Sequence, residues 1–408
     1  MWDHKRRSDC RLCFSKQLSL LWKMPDVAPV DRFRHPGDPA QEKYPLALYQ
    51  CMNCGHIQLL DVVNPRILFG NYIYRSRTSP DLLGHFEEYV SSLVSLVQTN
   101  GLKIGSILEI GSNDGLFLDI LRREFCCQTV GVDPSEAINV DCRKAGHDVF
   151  DGFFLEKKPD LHSKYHEFDL IIANNVLSHM DDLRPTFEGI TGLLAKNGIF
   201  VFEVSYALET FKNCVFDYIY HEHLAYHSIR PLIHLFGEIG LELIEASIVK
   251  TKGGSLRVTA QKLGGKLPMQ VELLERLLEL EEPLYEPIGR FIHDKSRSFV
   301  LAINHLVDLA SVDKPPAIFG ACATSNILLE FLREQEVHVS LMVDNEPSRQ
   351  GLFHSCYEIE VVSPEVALSR GVDSILIGAW RHADIIRANN RDFFARVSEI
   401  SLPKEFLL

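Results

Sequence analysis

Residues 106–117, SILEIGSNDGLF, constrain the fold more than any other stretch of this chain. The apolar run 106–110 reads as a buried strand, and the residues after Gly115 read as the start of a helix. Gly111 and Gly115 bracket Ser112, Asn113 and Asp114, so the backbone can turn tightly and offer N–H groups to a ligand at a helix N-terminus. About twenty residues on, a second apolar run closes in Gly131-Val132-Asp133-Pro134, where nucleotide-binding α/β folds hold two ribose hydroxyls with a carboxylate. A third run, 168–173, ends in Asn174-Asn175-Val176-Leu177-Ser178-His179. Three strand ends that agree predict a doubly wound parallel sheet with a cofactor crevice at its carboxyl edge.

The turn Glu109-Ile110-Gly111-Ser112-Asn113-Asp114-Gly115 is not the G-x-G-x-x-G of dinucleotide folds. It resembles the E-x-G-x-G-x-G of class I methyltransferases, with Asn113 at the middle glycine. The resemblance implies S-adenosylmethionine (SAM) rather than NAD, with Glu109, Gly111, Asn113 and Gly115 around its methionine end. Asp133 would take the ribose hydroxyls, and Asn174 and His179 would line the remainder.

At 408 residues the chain has length for two or three domains. A net charge of −13 disfavours non-specific binding to nucleic acid or anionic membranes, and Lys16 and Lys23 interrupt the apolar residues near the start. A cytoplasmic protein acting on a small molecule, with no nucleic-acid or membrane partner, is the expectation. Ten cysteines in a reducing compartment point to a metal or to buried thiols. Cys10-Arg11-Leu12-Cys13 and Cys51-Met52-Asn53-Cys54-Gly55 are two C-x-x-C knuckles, a spacing that brings both pairs of thiolates to one tetrahedral ion. One structural zinc on Cys10, Cys13, Cys51 and Cys54 follows, read as folding glue with His56 nearby. Tyr72 and Tyr74 come next, by default as packing residues.

Residues 81–98 read as a helix leading into the cofactor domain, and Asn197-Gly198 as a turn before a strand over 199–204. Residues 216–228 then pack three histidines, three tyrosines and two carboxylates into thirteen positions, a composition poorly suited to a core. The H-E-x-x-H metalloprotease pattern fails there because position 225 is alanine, although His221, His223 and His227 leave a metal site open. A glycine turn at 252–254 opens a strand, and 268–287 reads as a leucine-rich spacer helix. Residues 317–326 repeat the strand, small-residue turn and helix start, followed by a strand over 337–343 ending in Asp344 and another over 374–378.

Taken in order, these pieces resemble the SAM-dependent C-methyltransferases of deoxysugar biosynthesis. The most specific are the paired knuckles, 108–115, 174–179, Ile219-Tyr220-His221-Glu222-His223, Gly253-Gly254-Ser255-Leu256-Arg257, and Asp344 with Pro347-Ser348-Arg349-Gln350-Gly351. The resemblance implies a zinc-binding domain over 1–75, a methyltransferase domain over 76–260 and a Rossmann-like sugar-nucleotide domain over 261–408. It implies a monomer or small homo-oligomer that methylates carbon 3 of a nucleotide-linked 4-ketosugar, carried on dTDP or another nucleoside diphosphate. His223 would be the base, assisted by Tyr220, Glu222 and Tyr74, with Asn175, His221, Asn326, Asp344 and Arg349 on the substrate side. The chain departs from common members at Thr324, where a lysine is usual, and around Lys252.

Chemistry points the same way. Methyl transfer to carbon needs a base to remove a proton made acidic by a neighbouring carbonyl, whereas transfer to oxygen or nitrogen proceeds largely by positioning. An O- or N-methyltransferase of a sugar nucleotide, or a non-catalytic zinc and nucleotide binding module, would share the cofactor turn without that requirement.

Overall fold

The computed structural model describes residues 3–69, 75–213, 215–287, 289–310 and 315–400. Its centre is a seven-stranded sheet built from β1 (Ser106–Ile110), β2 (Gln128–Asp133), β3 (Asp148–Asp151), β4 (Phe168–Asn174), β5 (Leu194–Ser205), β6 (Leu241–Val249) and β7 (Ser255–Lys262). The order is β3-β2-β1-β4-β5-β7-β6, parallel from β3 to β5, with β7 antiparallel to both neighbours. The inner strands are almost continuously apolar because helices cover both faces, which is the pattern of a doubly wound sheet. From β1 the chain runs outward to β2 and β3, then returns to β4 on the other side. The crevice at this reversal, outside the carboxyl ends of β1 and β4, is where such sheets bind ligands.

Asn197-Gly198, expected as a turn before a strand beginning at 199, lies inside β5 at a register shift between Leu194 and Ile199. A Cβ on Gly198 would come within 2.9 Å of the Phe168 carbonyl oxygen, so the glycine admits a close strand approach. The helix expected over 81–98 spans Pro80–Thr99.

A second sheet closes the chain, with β8 (Ala317–Phe319), β9 (Met342–Val343), β10 (Val361–Val362), β11 (Ser374–Ile377) and β12 (Ser398–Ile400) in the all-parallel order β10-β9-β8-β11-β12. The strand expected over 337–343 is paired only at β9, since Val337 and Val339 turn into the core and the Ser340 N–H is spent on the Pro316 carbonyl. The spacer expected over 268–287 is the helix Val271–Tyr285, and its role is more than spacing. Its buried Glu281 accepts the N–H groups of Ile229 (2.6 Å) and Arg230 (3.2 Å), satisfying orphan donors at the start of the helix Ile229–Ile239.

The N-terminal region forms an antiparallel sheet of Leu18–Val27, Tyr44–Cys51 and Ile57–Leu59, and its fourth strand comes from far along the chain. Ala225–Tyr226 pairs with Gln58 and Ile57, which stitches the polar stretch 216–228 into this sheet. That stretch is therefore buried, contrary to its composition: His221, His227 and Ser228 are almost wholly enclosed. Burial is tolerable where polar atoms find partners, and His221 donates from Nε2 to the Pro45 carbonyl at 3.1 Å.

Candidate active site and metal cluster

The turn after β1 takes the conformation its glycines predict. Gly111 and Gly115 both have left-handed φ, +77° and +79°, and a Cβ on Gly115 would lie 2.7 Å from the Cys142 sulfur and 3.3 Å from its backbone. Asn113 also sits at positive φ, +49°, a region asparagine tolerates. Over this turn opens a cleft of about 540 Å³. Of the residues expected at the cofactor, Glu109, Gly111, Asn113, Asp133, Asn174 and His179 all line it, as does Asn175 from the substrate set. Gly115 does not line the cleft; it serves the turn from behind, against Cys142.

Asp133 is fixed by two backbone donors, Asn113 N–H to Oδ2 at 3.1 Å and Ser135 N–H to Oδ1 at 2.8 Å. Burial pushes its carboxyl above the usual range, with these two N–H groups opposing. Glu109 is pushed up further, by burial first and then by Asp133 and Asp114.

In the N-terminal region the four knuckle sulfurs lie within 4.8 Å of one another, with Cys10 and Cys54 at 3.6 Å and Cys13 and Cys51 at 3.5 Å. Tetrahedral zinc–sulfur bonds of about 2.3 Å imply sulfur separations of about 3.8 Å. Among the described residues this is the one group of three or more metal-ligating side chains so gathered, and His221, His223 and His227 do not form another. His56, expected nearby, packs against His227 with ring centroids 5.9 Å apart.

Residues 83–246 match the family described as a methyltransferase domain, residues 10–69 a zinc binding domain, and residues 250–403 the C-methyltransferase C-terminal domain. The C-methyltransferase NovU of Streptomyces niveus is 28% identical over 375 residues, covering 88% of this chain and 86% of that protein. Together these matches show a SAM-dependent C-methyltransferase. Among solved structures, a SAM-dependent methyltransferase from Clostridium acetobutylicum aligns with 44% of this chain and 91% of its own, at 13% identity and a TM-score of 0.35. The magnesium protoporphyrin IX methyltransferase of Synechocystis, solved with bound SAH, aligns with 44% of this chain and 84% of its own, at 16% identity and a TM-score of 0.35.

The cleft of this C-methyltransferase fits SAM by its unspent polar atoms. Both side-chain atoms of Asn174, Glu109 Oε2 and Ser112 Oγ are buried without a hydrogen-bond partner in the protein. Buried polar groups are rarely left so, and an ammonium, a carboxylate and a ribose diol are the partners such a set lacks. Asp133→Ala is expected to weaken SAM binding by about 1.5–3 kcal/mol, the scale of lost charge-assisted hydrogen bonds, measured by calorimetry. Unchanged affinity would separate Asp133 from the cofactor. Among the described residues, no helix is long and apolar enough to cross a membrane.

Next to the cleft, the structure brings together the residues expected to do the chemistry. His179 is stacked between Phe69 (5.4 Å) and His223 (5.2 Å), so the cleft-lining histidine touches the candidate base face to face. His223 Nδ1 lies 2.7 Å from the Tyr218 carbonyl oxygen and Nε2 lies 3.2 Å from the Tyr220 hydroxyl. A carbonyl only accepts, so Nδ1 carries a proton, and in the neutral ring Nε2 is then the acceptor and takes the Tyr220 O–H. Glu222 is pushed up to about 7, by burial first and then by Asp31, with Arg32 opposing. Tyr74 lies outside the described residues. His221, expected on the substrate side, is turned away: it donates to Pro45 and stands edge-on to Tyr44 at 6.0 Å, inside the N-terminal sheet region, and burial lowers it to about 4.

Of the C-terminal residues, Asp344 and Arg349 gather at Ala321, while Thr324 and Arg381 reach the His223 stretch through Asp217. Asp344 accepts the Ala321 N–H at 2.7 Å, and Arg349 donates to the Ala321 carbonyl at 2.7 Å while standing 3.6 Å from Asp344. The Asn326 Oδ1 is buried and unpartnered. Thr324 donates to Asp217 Oδ2 at 2.6 Å, and Arg381 grips the same carboxylate with both terminal nitrogens, at 2.9 and 2.5 Å. Arg381 also lies over the Tyr218 ring, 4.9 Å from its centroid, so the C-terminal fold holds the turn whose carbonyl orients His223.

Sequence reasoning missed Asp31, Arg32 and Arg381, which stand near residues 216–228 but carry no motif, and gave Asp217, inside that stretch, no role of its own. It also missed how Glu203 is used: Arg257 donates twice to Oε2 (2.9 and 2.8 Å) and His85 pairs with the same carboxylate at 2.8 Å. Burial pushes Glu203 up, but the His85 hydrogen bond and the Arg257 charge outweigh it and hold it ionised. The placement of Arg257 in the strand that opens after Gly253-Gly254 was the available signal, since a lone arginine in a buried strand needs a carboxylate.

Proposed function

We propose that this C-methyltransferase methylates carbon 3 of a nucleotide-linked 4-keto-deoxysugar, with His223 as the base. The observation that carries the reading is the tautomer of His223, a neutral imidazole with its lone pair at Nε2, stacked on a residue of the cofactor cleft. Bound SAM supplies an electrophilic methyl group. His223 Nε2 takes the C3 proton, and the Tyr218 carbonyl stabilises the imidazolium that results by accepting from Nδ1. The C4 carbonyl accepts the displaced electron pair as an enolate. Tyr220, released from Nε2 once that nitrogen takes the proton, donates to that oxygen, and Glu222, its carboxyl raised by burial to about 7, is a second donor. Tyr74 keeps its proposed assisting role from the sequence resemblance alone.

The nucleotide part is assigned to the C-terminal fold. Supporting this are the turn at 320–323 opening the helix Ala323–Glu334, the unpartnered Asn326 Oδ1 within it, and Arg349 alongside. His221 is proposed to hold the catalytic stretch in place rather than to touch substrate. The zinc assigned to Cys10, Cys13, Cys51 and Cys54 has no open position and takes no part in the chemistry.

Incubation with SAM and a panel of nucleotide-linked 4-ketosugars, with the product examined by mass spectrometry and NMR, tests the reading. One member should gain 14 mass units, on carbon 3. Methylation on oxygen or nitrogen, or turnover only with acceptors lacking the ketone, would overturn it.

A further inference from the structure

We propose that Asn113 is a positioning residue whose side chain fastens the covering segment 75–78 onto the cofactor turn, so that turn and cover retain SAM as one unit. At this position the related methyltransferase turn reads glycine, and glycine satisfies the +49° φ without strain. The turn itself therefore does not need the amide. The backbone N–H of Asn113 serves Asp133, whereas its side-chain Oδ1 accepts from the Ser76 N–H at 3.0 Å and from the Asp114 N–H at 2.9 Å.

The next side chain does the same for the next amide. Asp114, almost wholly buried, accepts the Arg77 N–H at Oδ2 (2.9 Å) and the Leu116 N–H at Oδ1 (3.2 Å). The Arg77 guanidinium then reaches Asp119, on the helix that follows the turn, and Asp119 is in turn held by His147 at 2.9 Å. Two consecutive N–H groups of the segment are thus taken by two consecutive side chains of the turn. What the segment covers is the cleft: Ser76 lines it, joined by Leu82 and Phe86 from the helix Pro80–Thr99 that follows, and Phe86 packs on Phe117 with centroids 4.5 Å apart. A cofactor resting on the turn cannot leave on this side unless the Ser76 and Arg77 tethers open. The inference concerns cofactor retention and is independent of the acceptor and of His223.

Hydrogen exchange of the full chain without cofactor, and SAM dissociation followed by stopped flow, test it together. Asn113→Gly should raise exchange at the Ser76 amide and raise the SAM off-rate, each about tenfold, the scale of one net hydrogen bond. Asn113→Asp keeps an acceptor oxygen and should restore Ser76 protection. Ser76→Pro removes the same hydrogen bond from the other side. The extended Arg75 (φ −119°, ψ 129°) and the first position of the short helix Ser76–Thr78 both accept a following proline. Its off-rate should rise in the same direction as that of Asn113→Gly, and the double variant should be no faster than Asn113→Gly alone, since the Ser76 tether is common to both. Unchanged Ser76 exchange in Asn113→Gly, a slower-binding variant with an unaltered off-rate, or additive effects in the double variant would each overturn the proposal.

Discussion

Replacing His223 with alanine is expected to lower turnover by about 10²–10⁴-fold, the usual worth of a general base, while SAM affinity stays nearly intact. The separation follows from geometry. His223 does not line the cleft and touches it through the face of His179, so its removal deletes the base and leaves Asp133, Asn174 and the glycine turn in place. The Tyr218 carbonyl fixes the proton on Nδ1 and leaves Nε2 as the atom that can take a proton. In deuterated buffer without SAM, the wild type should exchange the C3 hydrogen of its ketosugar and His223→Ala should not. Replacement of His227 should cost less, because it is fully buried beside His56, lowered to about 4 by burial, and distant in role from the cleft. A His223→Ala enzyme that exchanges and methylates at wild-type rates would move the base to another residue.

Changing Cys51 and Cys54 together to serine is expected to remove about one zinc per chain and to unfold the N-terminal sheet. Structural zinc contributes folding free energy on the order of 10 kcal/mol in small domains, comparable to a typical domain's whole stability. Here the damage should spread. The strand Ala225–Tyr226 belongs to that sheet, His221 is anchored to Pro45, and Arg11, between two of the cysteines, is a buried partner of Asp181 at 3.1 Å on the cleft wall. Metal analysis, melting temperature and methyl transfer should therefore fall together. Full metal content after the double substitution would end the assignment of these ligands.

The cofactor cleft was legible because its determinants are local. A glycine that must take positive φ, an aspartate at a strand end and an asparagine one strand over are each written in a few consecutive residues, and a parallel sheet brings strand ends together by topology alone. The zinc cluster was legible for the same reason, since each C-x-x-C pair is preformed by its own turn. What lay beyond reach was every contact between distant segments with no spacing rule: Asp217 held by Thr324 and Arg381, Glu203 by His85 and Arg257, Glu222 faced by Asp31 and Arg32.

Residues 216–228 show where the division falls. Composition alone marked them as polar and functional, and as poor core; the fold buries them between three parts of the chain, each supplying partners. Which of the three histidines can act was decided there. His221 is spent on Pro45, His227 is sealed beside His56, and His223 alone combines a carbonyl at Nδ1 with a cleft residue against its ring. The residue types and strand ends of this chain are determined by sequence because they obey local periodicity and turn chemistry. The role of each buried polar group was decided by tertiary structure, because desolvation leaves it only the partners that the folded chain provides.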